Sequence, residues 1–386
     1  MSGDSFTEVT HRSWVSRIGS AIIGILIGLV LFIISFILLF WNEGRSVKQY
    51  NTLKEAGGAV VSVTSDRVDT VNEGKLIHTT GKANTDVTLR DPFFRVSANV
   101  LMLKRTVEMY QWHEDSQTRT EKTSGGGERT VRTYSYNKRW VDRPISSSRF
   151  KKPQGHQNPG AIPYSSTHQV ANKVTLGAFT LSPSLLSKIN NFRLLPIQDD
   201  HPVLENIKGK ARVYSGGFYI GADPSSPQVG DVRVTFSAVT PTRVSVIAKQ
   251  VGNSFKPYQT SRGGAIELLQ LGAYSPDAMI SEAQESNRIF TWILRIVGFV
   301  LMLLGLTMVF KPCSVVADVV PILGTIVGVG VFFVSFLLAA VLSLITIAIA
   351  WIVYRPLLAV VMMSVAGVLI VAIAIKGKLR SKKAMS

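Results

Sequence analysis

Four apolar stretches of the chain are long enough to cross a membrane as helices. The first covers residues 18–41, which hold no charged side chain. As a helix it would measure about 36 Å, against about 30 Å of bilayer hydrocarbon. The other stretches cover residues 288–310, 329–353 and 357–375. This pattern predicts one N-terminal and three C-terminal transmembrane helices.

The residues beside these stretches indicate where each helix ends. The first stretch ends at Phe40-Trp41-Asn42-Glu43, which offers no small-residue cleavage site, so a retained anchor is favoured over a signal peptide. Lys311-Pro312 is expected to end the second helix, and residues 311–328 to form a short interfacial segment. Tyr354-Arg355-Pro356 predicts a tight turn, because proline cannot continue helical hydrogen bonding. Arg295 lies near the start of its helix and is expected to snorkel to the interface.

Residues 42–287 are more polar; 100–112 shows the two-residue period of a β-strand, and other segments are rich in strand-favouring residues. The strands expected from this pattern are a long hairpin, 100–112 with 130–140, and a second pair, 230–238 with 242–250; short helices are expected at 182–191 and 275–287. Gly125-Gly126-Gly127 supplies the turn of the long hairpin. The predicted fold class is therefore an α+β membrane protein, in which the four helices enclose a large β-rich extramembrane domain.

The charge distribution predicts how the chain is oriented. Lys and Arg number 42 against 25 Asp and Glu, a net charge of +17, while only 17% of residues are charged and 46% are hydrophobic. The tail, residues 376–386, carries basic residues and no acid, and such flanks stay cytoplasmic. With four spans, residues 1–17 are expected on the same side and residues 42–287 on the opposite side. That orientation makes nucleic acid an unexpected partner for the domain.

Motifs for catalysis or metal binding are not recognisable in the sequence. It has no phosphate-binding loop, nucleophile elbow or zinc-protease motif, and its histidines are scattered. His113-Glu114-Asp115 could contribute to a metal site, although a solvated loop is the favoured interpretation. A single cysteine, Cys313, excludes an intrachain disulfide. We predict no catalytic, cofactor-binding or metal-binding residue.

The densest basic stretch is interleaved with aromatic residues between positions 129 and 152. This pattern suits single-stranded nucleic acid, an anionic membrane surface or simply an exposed strand face. For a domain on the non-cytoplasmic side, lipid headgroups are the better functional interpretation. The predicted lipid or partner contacts are Arg129, Arg132, Tyr134, Tyr136, Lys138, Arg139 and Trp140.

Small residues recur every fourth position on the first helix, at Ser20, Gly24 and Gly28. Such a face lets another helix approach closely, although glycine is also simply common in membrane helices. We predict helix packing on this face and expect the protein to self-associate.

Several short runs carry a further signal: Asn42-Glu43-Gly44-Arg45, 107–112 (VEMYQW), 134–137 (YSYN), Gly155-His156 with Asn158-Pro159, 229–236 (VGDVRVTF, with Gly230-Asp231) and Tyr354-Arg355-Pro356. In their order and spacing, and in the arrangement of one anchor, a large domain and closing helices, they resemble the transmembrane protein 43 (LUMA) family. The resemblance covers the chain from its first helix to its last.

This resemblance implies a location and partners but no chemistry. It implies a protein of the endoplasmic reticulum and inner nuclear membrane, associated with lamins and emerin, if the source is eukaryotic. Relatives also occur in bacteria, where the cell inner membrane would be its place. It implies no catalytic residue.

Three functions are compatible with these features. The first is a multi-pass membrane scaffold whose domain contacts proteins or lipids beside the bilayer. The second is a channel or transporter, although the helices offer few polar side chains, chiefly Arg295. The third is a membrane-bound enzyme, which would require a pocket that gathers His78, His156 or Asp231 with acids.

Overall fold

The computed structural model describes residues 4–201, 211–356, 360 and 364. Within them, three helices are long and apolar enough to cross a membrane, at Trp14–Ala59, Pro276–Ala317 and Ile322–Tyr354. One is N-terminal and two are C-terminal, with a β-rich region between, which confirms three of the four predicted membrane helices and the position of the β-rich region. The fourth predicted helix, 357–375, and the basic tail lie outside the described residues except for positions 360 and 364.

The described part of the chain contains four α-helices and nineteen strands. The helices are α1 (Trp14–Ala59), α2 (Pro183–Leu186), α3 (Pro276–Ala317) and α4 (Pro321–Tyr354), and 3-10 turns lie at Thr70–Asn72 and Ser147–Arg149. The strands are β1 (Ser5–Arg12), β2 (Val61–Ser62), β3 (Leu76–Asn84), β4 (Thr88–Arg90), β5 (Ser97–Asn99), β6 (Met102–Lys122), β7 (Glu128–Val141), β8 (Thr167–Val170), β9 (Thr175–Leu176), β10 (Phe179–Thr180), β11 (Arg193–Leu194), β12 (Ala211–Tyr214), β13 (Gly217–Ile220), β14 (Val232–Val239), β15 (Thr242–Val251), β16 (Ser254–Lys256), β17 (Tyr258–Gln259), β18 (Ala265–Ile266) and β19 (Leu268–Leu271).

The long helices extend beyond the apolar stretches that predicted them. The stretch 18–41 lies inside α1, and the stretch 288–310 lies inside α3. Lys311-Pro312 does not end α3, which continues to Ala317 with Pro312 inside it. Proline removes one helical hydrogen bond there, and the helix ends within two further turns. Residues 311–328 are thus helical except at Asp318–Val320.

The described chain divides into two compact units. The first comprises residues 1–10, 54–119 and 130–281, and the second comprises 11–53, 120–129 and 282–386. The second unit therefore takes in the tip of the β6–β7 hairpin together with most of the long helices.

Two sheets dominate the first unit. The eight-stranded sheet has the order β1-β7-β6-β14-β13-β12, with β11 paired to β14 and β8 paired to β6. The seven-stranded sheet has the order β19-β15-β16-β10-β9-β3-β2, with β15 also paired to β3. Apolar side chains from both sheets, such as Val107, Phe236 and Val246, share one buried core.

The predicted hairpin at 100–112 and 130–140 is present as β6 and β7, while the second predicted strand pair is formed differently. Both strands exist, as β14 and β15, but they do not pair with each other. β14 pairs with β6, β11 and β13, whereas β15 pairs with β3, β16 and β19. Val232, Val234 and Phe236 alternate with half-buried polar residues, which suits a strand with one covered face. In β15, the run Val244 to Ala248 is buried throughout, as in a strand covered on both faces.

The helices of the second unit pack through a small apolar core. Leu39, Met302, Leu306 and Ala339 are buried together. Many other apolar side chains of these helices are exposed, as lipid-facing residues are; examples are Ile22, Leu26, Ile296, Phe333 and Leu344. The unit therefore presents the surface of a membrane protein.

Candidate functional site

A buried ion pair joins α1 to α3 inside the second unit. Arg295 donates from Nε to Glu43 Oε1 at 2.7 Å and from an η nitrogen to Oε2 at 2.9 Å. Trp351 Nε1, on α4, donates to the same Oε2 at 2.8 Å. The Glu43 side chain is fully buried and that of Arg295 is 14% exposed. The predicted snorkelling of Arg295 is therefore replaced by a bond to a buried carboxylate.

Neighbouring residues extend this cluster along one turn of α1. Asn42 donates to the Thr291 carbonyl at 3.0 Å. Arg45 donates to Asn287 Oδ1 and to Thr291 Oγ1, each at 3.0 Å. Asn287 donates to the Ser46 carbonyl at 3.0 Å. Within the run Asn42-Glu43-Gly44-Arg45, the three polar side chains thus bind α3.

Gly44 is required in this turn by its neighbour on α4. A Cβ at position 44 would lie 2.6 Å from the Tyr354 ring. The same ring packs against Phe40, with centroids 5.3 Å apart. Tyr354, the first residue of the predicted Tyr354-Arg355-Pro356 turn, therefore packs on α1, and α4 ends at this residue, where the Arg355 amide donates to the Trp351 carbonyl at 2.7 Å.

The predicted small-residue face meets a helix of the same chain. A Cβ at Gly28 would lie 2.7 Å from the Gly305 carbonyl oxygen of α3. At Gly24 the nearest atom, in Met308, is 4.0 Å away. Ser20 is exposed and donates to the Ser16 carbonyl. Packing of one chain on another through this face stays a prediction.

A second buried charge cluster lies at the start of α1. Asp318 accepts from Arg17 at 2.6 Å and from Lys122 Nζ at 2.6 Å. Arg17 also donates to the Gly126 carbonyl at 2.5 Å. A Cβ at Gly126 would overlap the Trp14 ring, so glycine is needed at this hairpin tip. Residues 120–129 are therefore held beside the beginning of α1 and the end of α3.

The N-terminal strand belongs to a sheet of the first unit, although no sequence pattern predicted it. β1 lies next to β7, and the Tyr136 amide donates to the Asp4 carbonyl at 3.3 Å. Asp4 also binds Lys152 Nζ at 2.9 Å and His156 Nε2 at 2.8 Å. These contacts and the Arg17 contacts do not fit the predicted orientation, in which residues 1–17 and the domain face opposite sides of the membrane.

The aromatic residues of the predicted contact strand point inward. Tyr134 is 5% exposed and Tyr136 is 7% exposed, since alternate residues of β7 face the same side. The Tyr136 hydroxyl donates to Glu114 at 2.7 Å and accepts from the Lys152 amide. Burial, and then the Glu114 hydrogen bond, raise the pKa of Tyr136 to about 12. Neither tyrosine is available for contact with lipid or a partner.

The basic residues of that strand remain accessible. Arg129, Arg132, Lys138 and Arg139 are exposed, and Trp140 is half-buried. Lys138 lies over the Trp112 ring at 4.7 Å, and Arg233 lies over Trp140 at 4.8 Å. Of the predicted contact residues, only the basic ones are therefore exposed.

A cavity of about 950 Å³ opens between β7 and the loop that follows it. Its wall includes His113, Glu114 and Arg139. The residues that the enzyme hypothesis required lie elsewhere. His78 contacts the Tyr274 carbonyl at 2.9 Å. Asp231, the second of these residues, accepts from the Tyr219 hydroxyl at 2.5 Å.

His156, the third such residue, is 1% exposed and packed among aromatic rings. It stacks on Tyr136 with centroids 4.0 Å apart and meets Trp112 edge-on. Its Nδ1 faces the Lys152 carbonyl at 2.8 Å. Asp231 follows Gly230, whose φ of +100° favours glycine, in the turn that leads into β14. Both residues thus stabilise local structure.

Among the described residues, no group of three or more His, Cys, Asp or Glu could hold a metal ion.

Comparisons with known proteins identify close relatives along nearly the whole chain. A family model described as transmembrane protein 43 matches residues 109–356. Transmembrane protein 43 of Rattus norvegicus is 35% identical over 363 residues, 91% of this chain and 89% of the relative. The Homo sapiens protein is 34% identical over 376 residues, 94% and 92% of the two chains. The Drosophila melanogaster homolog is 32% identical over 340 residues, 86% and 89%. No solved structure matches the chain significantly.

Proposed function

Because this chain belongs to the transmembrane protein 43 family, we propose that it is a membrane scaffold whose extramembrane domain contacts anionic lipids or proteins beside the bilayer. It has no catalytic role in this proposal. Its compartment would be the endoplasmic reticulum and inner nuclear membrane in a eukaryote, with lamins and emerin as partners, or the inner membrane in a bacterium. Self-association is part of the proposal.

The observation that carries the proposal is the number of exposed cations along β7. Arg129, Arg132 and Lys138 are exposed. Arg132 donates to Thr118 Oγ1 at 3.2 Å and lies within electrostatic reach of Glu8, while Lys138 lies over the Trp112 ring. The apolar helices anchor the chain in a bilayer, and each basic residue close to an anionic surface contributes about 1 kcal/mol of attraction. A cationic strand on a tethered domain is suited to hold a second lipid or protein surface.

The test measures whether the strand captures membranes. The full chain is placed in neutral phosphatidylcholine nanodiscs and mixed with vesicles that contain phosphatidylserine. We expect vesicle capture that weakens with salt. Combined Arg129→Gln, Arg132→Gln and Lys138→Gln should reduce it by about two orders of magnitude, since three residues contribute about 3 kcal/mol.

A matched control neutralises exposed basic residues away from this strand, with Arg67→Gln, Lys75→Gln and Arg262→Gln. Equal capture by the two triple variants would contradict the lipid-contact role. A strictly monomeric wild-type protein, measured by mass photometry in nanodiscs, would remove self-association from the proposal.

The pairing of Arg295 favours the scaffold over a channel or transporter. Glu43 neutralises Arg295 through two hydrogen bonds, so this arginine does not present a free charge to an ion pathway. Charged residues within membrane helices often mark such pathways, but they are also found paired with one another. Ion flux in proteoliposomes that disappeared in Arg295→Ala would favour the channel instead.

A further inference from the structure

The cavity beside β7 has walls that buried side chains hold in place. Gln111 is fully buried; its amide donates to the Arg143 carbonyl at 3.0 Å and its oxygen accepts from the Ile145 amide at 2.9 Å. Asn158 donates to the Ile145 carbonyl at 3.3 Å and accepts from the Trp112 amide at 2.7 Å. The loop that closes the cavity is therefore fixed before any ligand arrives, which lowers the ordering cost of binding.

Three arginines lie on this wall: Arg139, Arg143 and Arg149. The side chains of Arg143 and Arg149 are exposed and form no ion pair among the described residues. Arg139 contacts the His113 ring, and its charge also acts on the nearby carboxylate of Asp115. Guanidinium groups offer planar pairs of N–H donors that match carboxylate and phosphate oxygens.

The acids on the same wall are mostly occupied by other donors. Glu108 accepts from Arg233 at 2.6 Å. Glu114 accepts from the Tyr136 hydroxyl at 2.7 Å and from the Lys151 amide at 2.6 Å. Of the carboxylates on this wall, only that of Asp142 is exposed. Because Arg233 neutralises Glu108, the wall holds three arginines against two charged carboxylates, those of Glu114 and Asp142.

We propose that this cavity binds the phosphate group of a small phosphate ester, either free in solution or as the headgroup of a membrane lipid. A phosphate carries up to two charges and three acceptor oxygens, and so can engage more than one guanidinium. Trp140 supplies an aromatic wall for the organic part of the ligand. The volume of about 950 Å³ lies at the upper end of the range of small-molecule sites.

Two probes distinguish the sources of the phosphate. Glycerol 3-phosphate is titrated into the full chain in phosphatidylcholine nanodiscs and followed by calorimetry. Vesicles of phosphatidylcholine with phosphatidic acid are tested for capture by the same nanodiscs. Saturable binding of glycerol 3-phosphate without vesicle capture identifies a soluble ester, whereas capture that depends on the cavity arginines identifies a lipid headgroup.

The variant for both probes combines Arg143→Gln with Arg149→Gln, and its control combines Arg67→Gln with Arg262→Gln. All four side chains are exposed, so the fold should persist. We expect at least about tenfold weaker binding for the cavity variant, since it loses two charged hydrogen-bond donors, and unchanged binding for the control. Equal affinity of the two variants, or no saturable binding of either probe by the wild type, would overturn the proposal.

The lipid form of this inference rests on the proposed contact with anionic membranes, while the soluble form does not. The two proposals use different residues, because the strand variant keeps Arg139, Arg143 and Arg149. Loss of vesicle capture in the strand variant alone supports the scaffold and removes the lipid form of the cavity site. Loss of glycerol 3-phosphate binding in the cavity variant alone supports the cavity and leaves the strand test to decide the scaffold.

Discussion

Arg295 and Glu43 form a two-pronged ion pair, with N···O distances of 2.7 and 2.9 Å on a fully buried carboxylate. Trp351 provides a third donor to that carboxylate from α4. One carboxylate thus joins all three long helices of the second unit. Because burial of a charge is costly unless it is paired, each partner makes the other tolerable in this apolar surrounding.

Removal of one member of this pair should destabilise the protein strongly. Glu43→Leu or Arg295→Leu leaves a buried charge without its partner, which costs about 3–5 kcal/mol. The double variant should lose less stability than the two single losses added, because no unpaired charge remains. The melting temperatures of these three variants, measured in detergent by tryptophan fluorescence, report the losses of stability.

Glu285→Gln is the matched control for that comparison. Glu285 pairs with Arg288 on the exposed surface of α3, at 2.8 Å, where such pairs contribute about 0–1 kcal/mol. Its melting temperature should stay close to that of the wild type. Additive losses in the Glu43 and Arg295 double variant would show that the two residues do not interact.

A methyl group at position 44 should loosen the contact between α1 and α4. Gly44→Ala places its Cβ 2.6 Å from the Tyr354 ring, and overpacking of this kind costs about 1–3 kcal/mol. Gly19→Ala is the control, because no heavy atom lies within 4 Å of its Cβ and alanine favours helix. The melting temperature should fall for the first variant and hold or rise for the second. Partial recovery on addition of Tyr354→Leu would identify the ring as the cause.

The sequence predicts which segments form helices and strands better than it predicts which segments contact each other in the folded chain. Long apolar runs indicated the three described membrane helices and two-residue alternation indicated β6. Strand-favouring residues bounded by turn residues indicated β7, β14 and β15, and all of these signals are local. The pairing of Glu43 with Trp351 joins residues 308 positions apart and leaves no local trace. The inward direction of Tyr134 and Tyr136 depends on which face the N-terminal strand and the loop after β7 cover. Tertiary contacts, rather than the local sequence, determine which face of β7 is buried.

Labelling of single cysteines should place the N-terminal strand on the same side of the membrane as the hairpin tip. Hydrogen-bonded strands lie about 4.8 Å apart, whereas the hydrocarbon core is about 30 Å thick, so β1 and β7 cannot face opposite sides. In a Cys313→Ser background, Ser5→Cys and Ser124→Cys should react with an impermeant maleimide from the same face of sealed vesicles. Both serines are exposed.

Ser381→Cys, in the tail predicted to be cytoplasmic, serves as the reference for sidedness. Reaction of Ser5→Cys from the face opposite to Ser124→Cys would restore the orientation expected from the charge pattern. It would also show that the β1–β7 pairing does not form in the membrane-bound protein.

Acidification should weaken the first unit through His78. Burial, partly offset by the contact with the Tyr274 carbonyl, lowers the pKa of His78 below its usual 6.5. The unfolded chain therefore binds a proton more readily than the folded chain between that value and the lowered pKa. The contribution of neutral His78 is fully present above pH 6.5 and is lost as the pH falls through the lowered pKa. Melting temperatures from pH 7.5 to 5 should fall more steeply for the wild type than for His78→Gln, and parallel curves would assign the acid sensitivity to other groups.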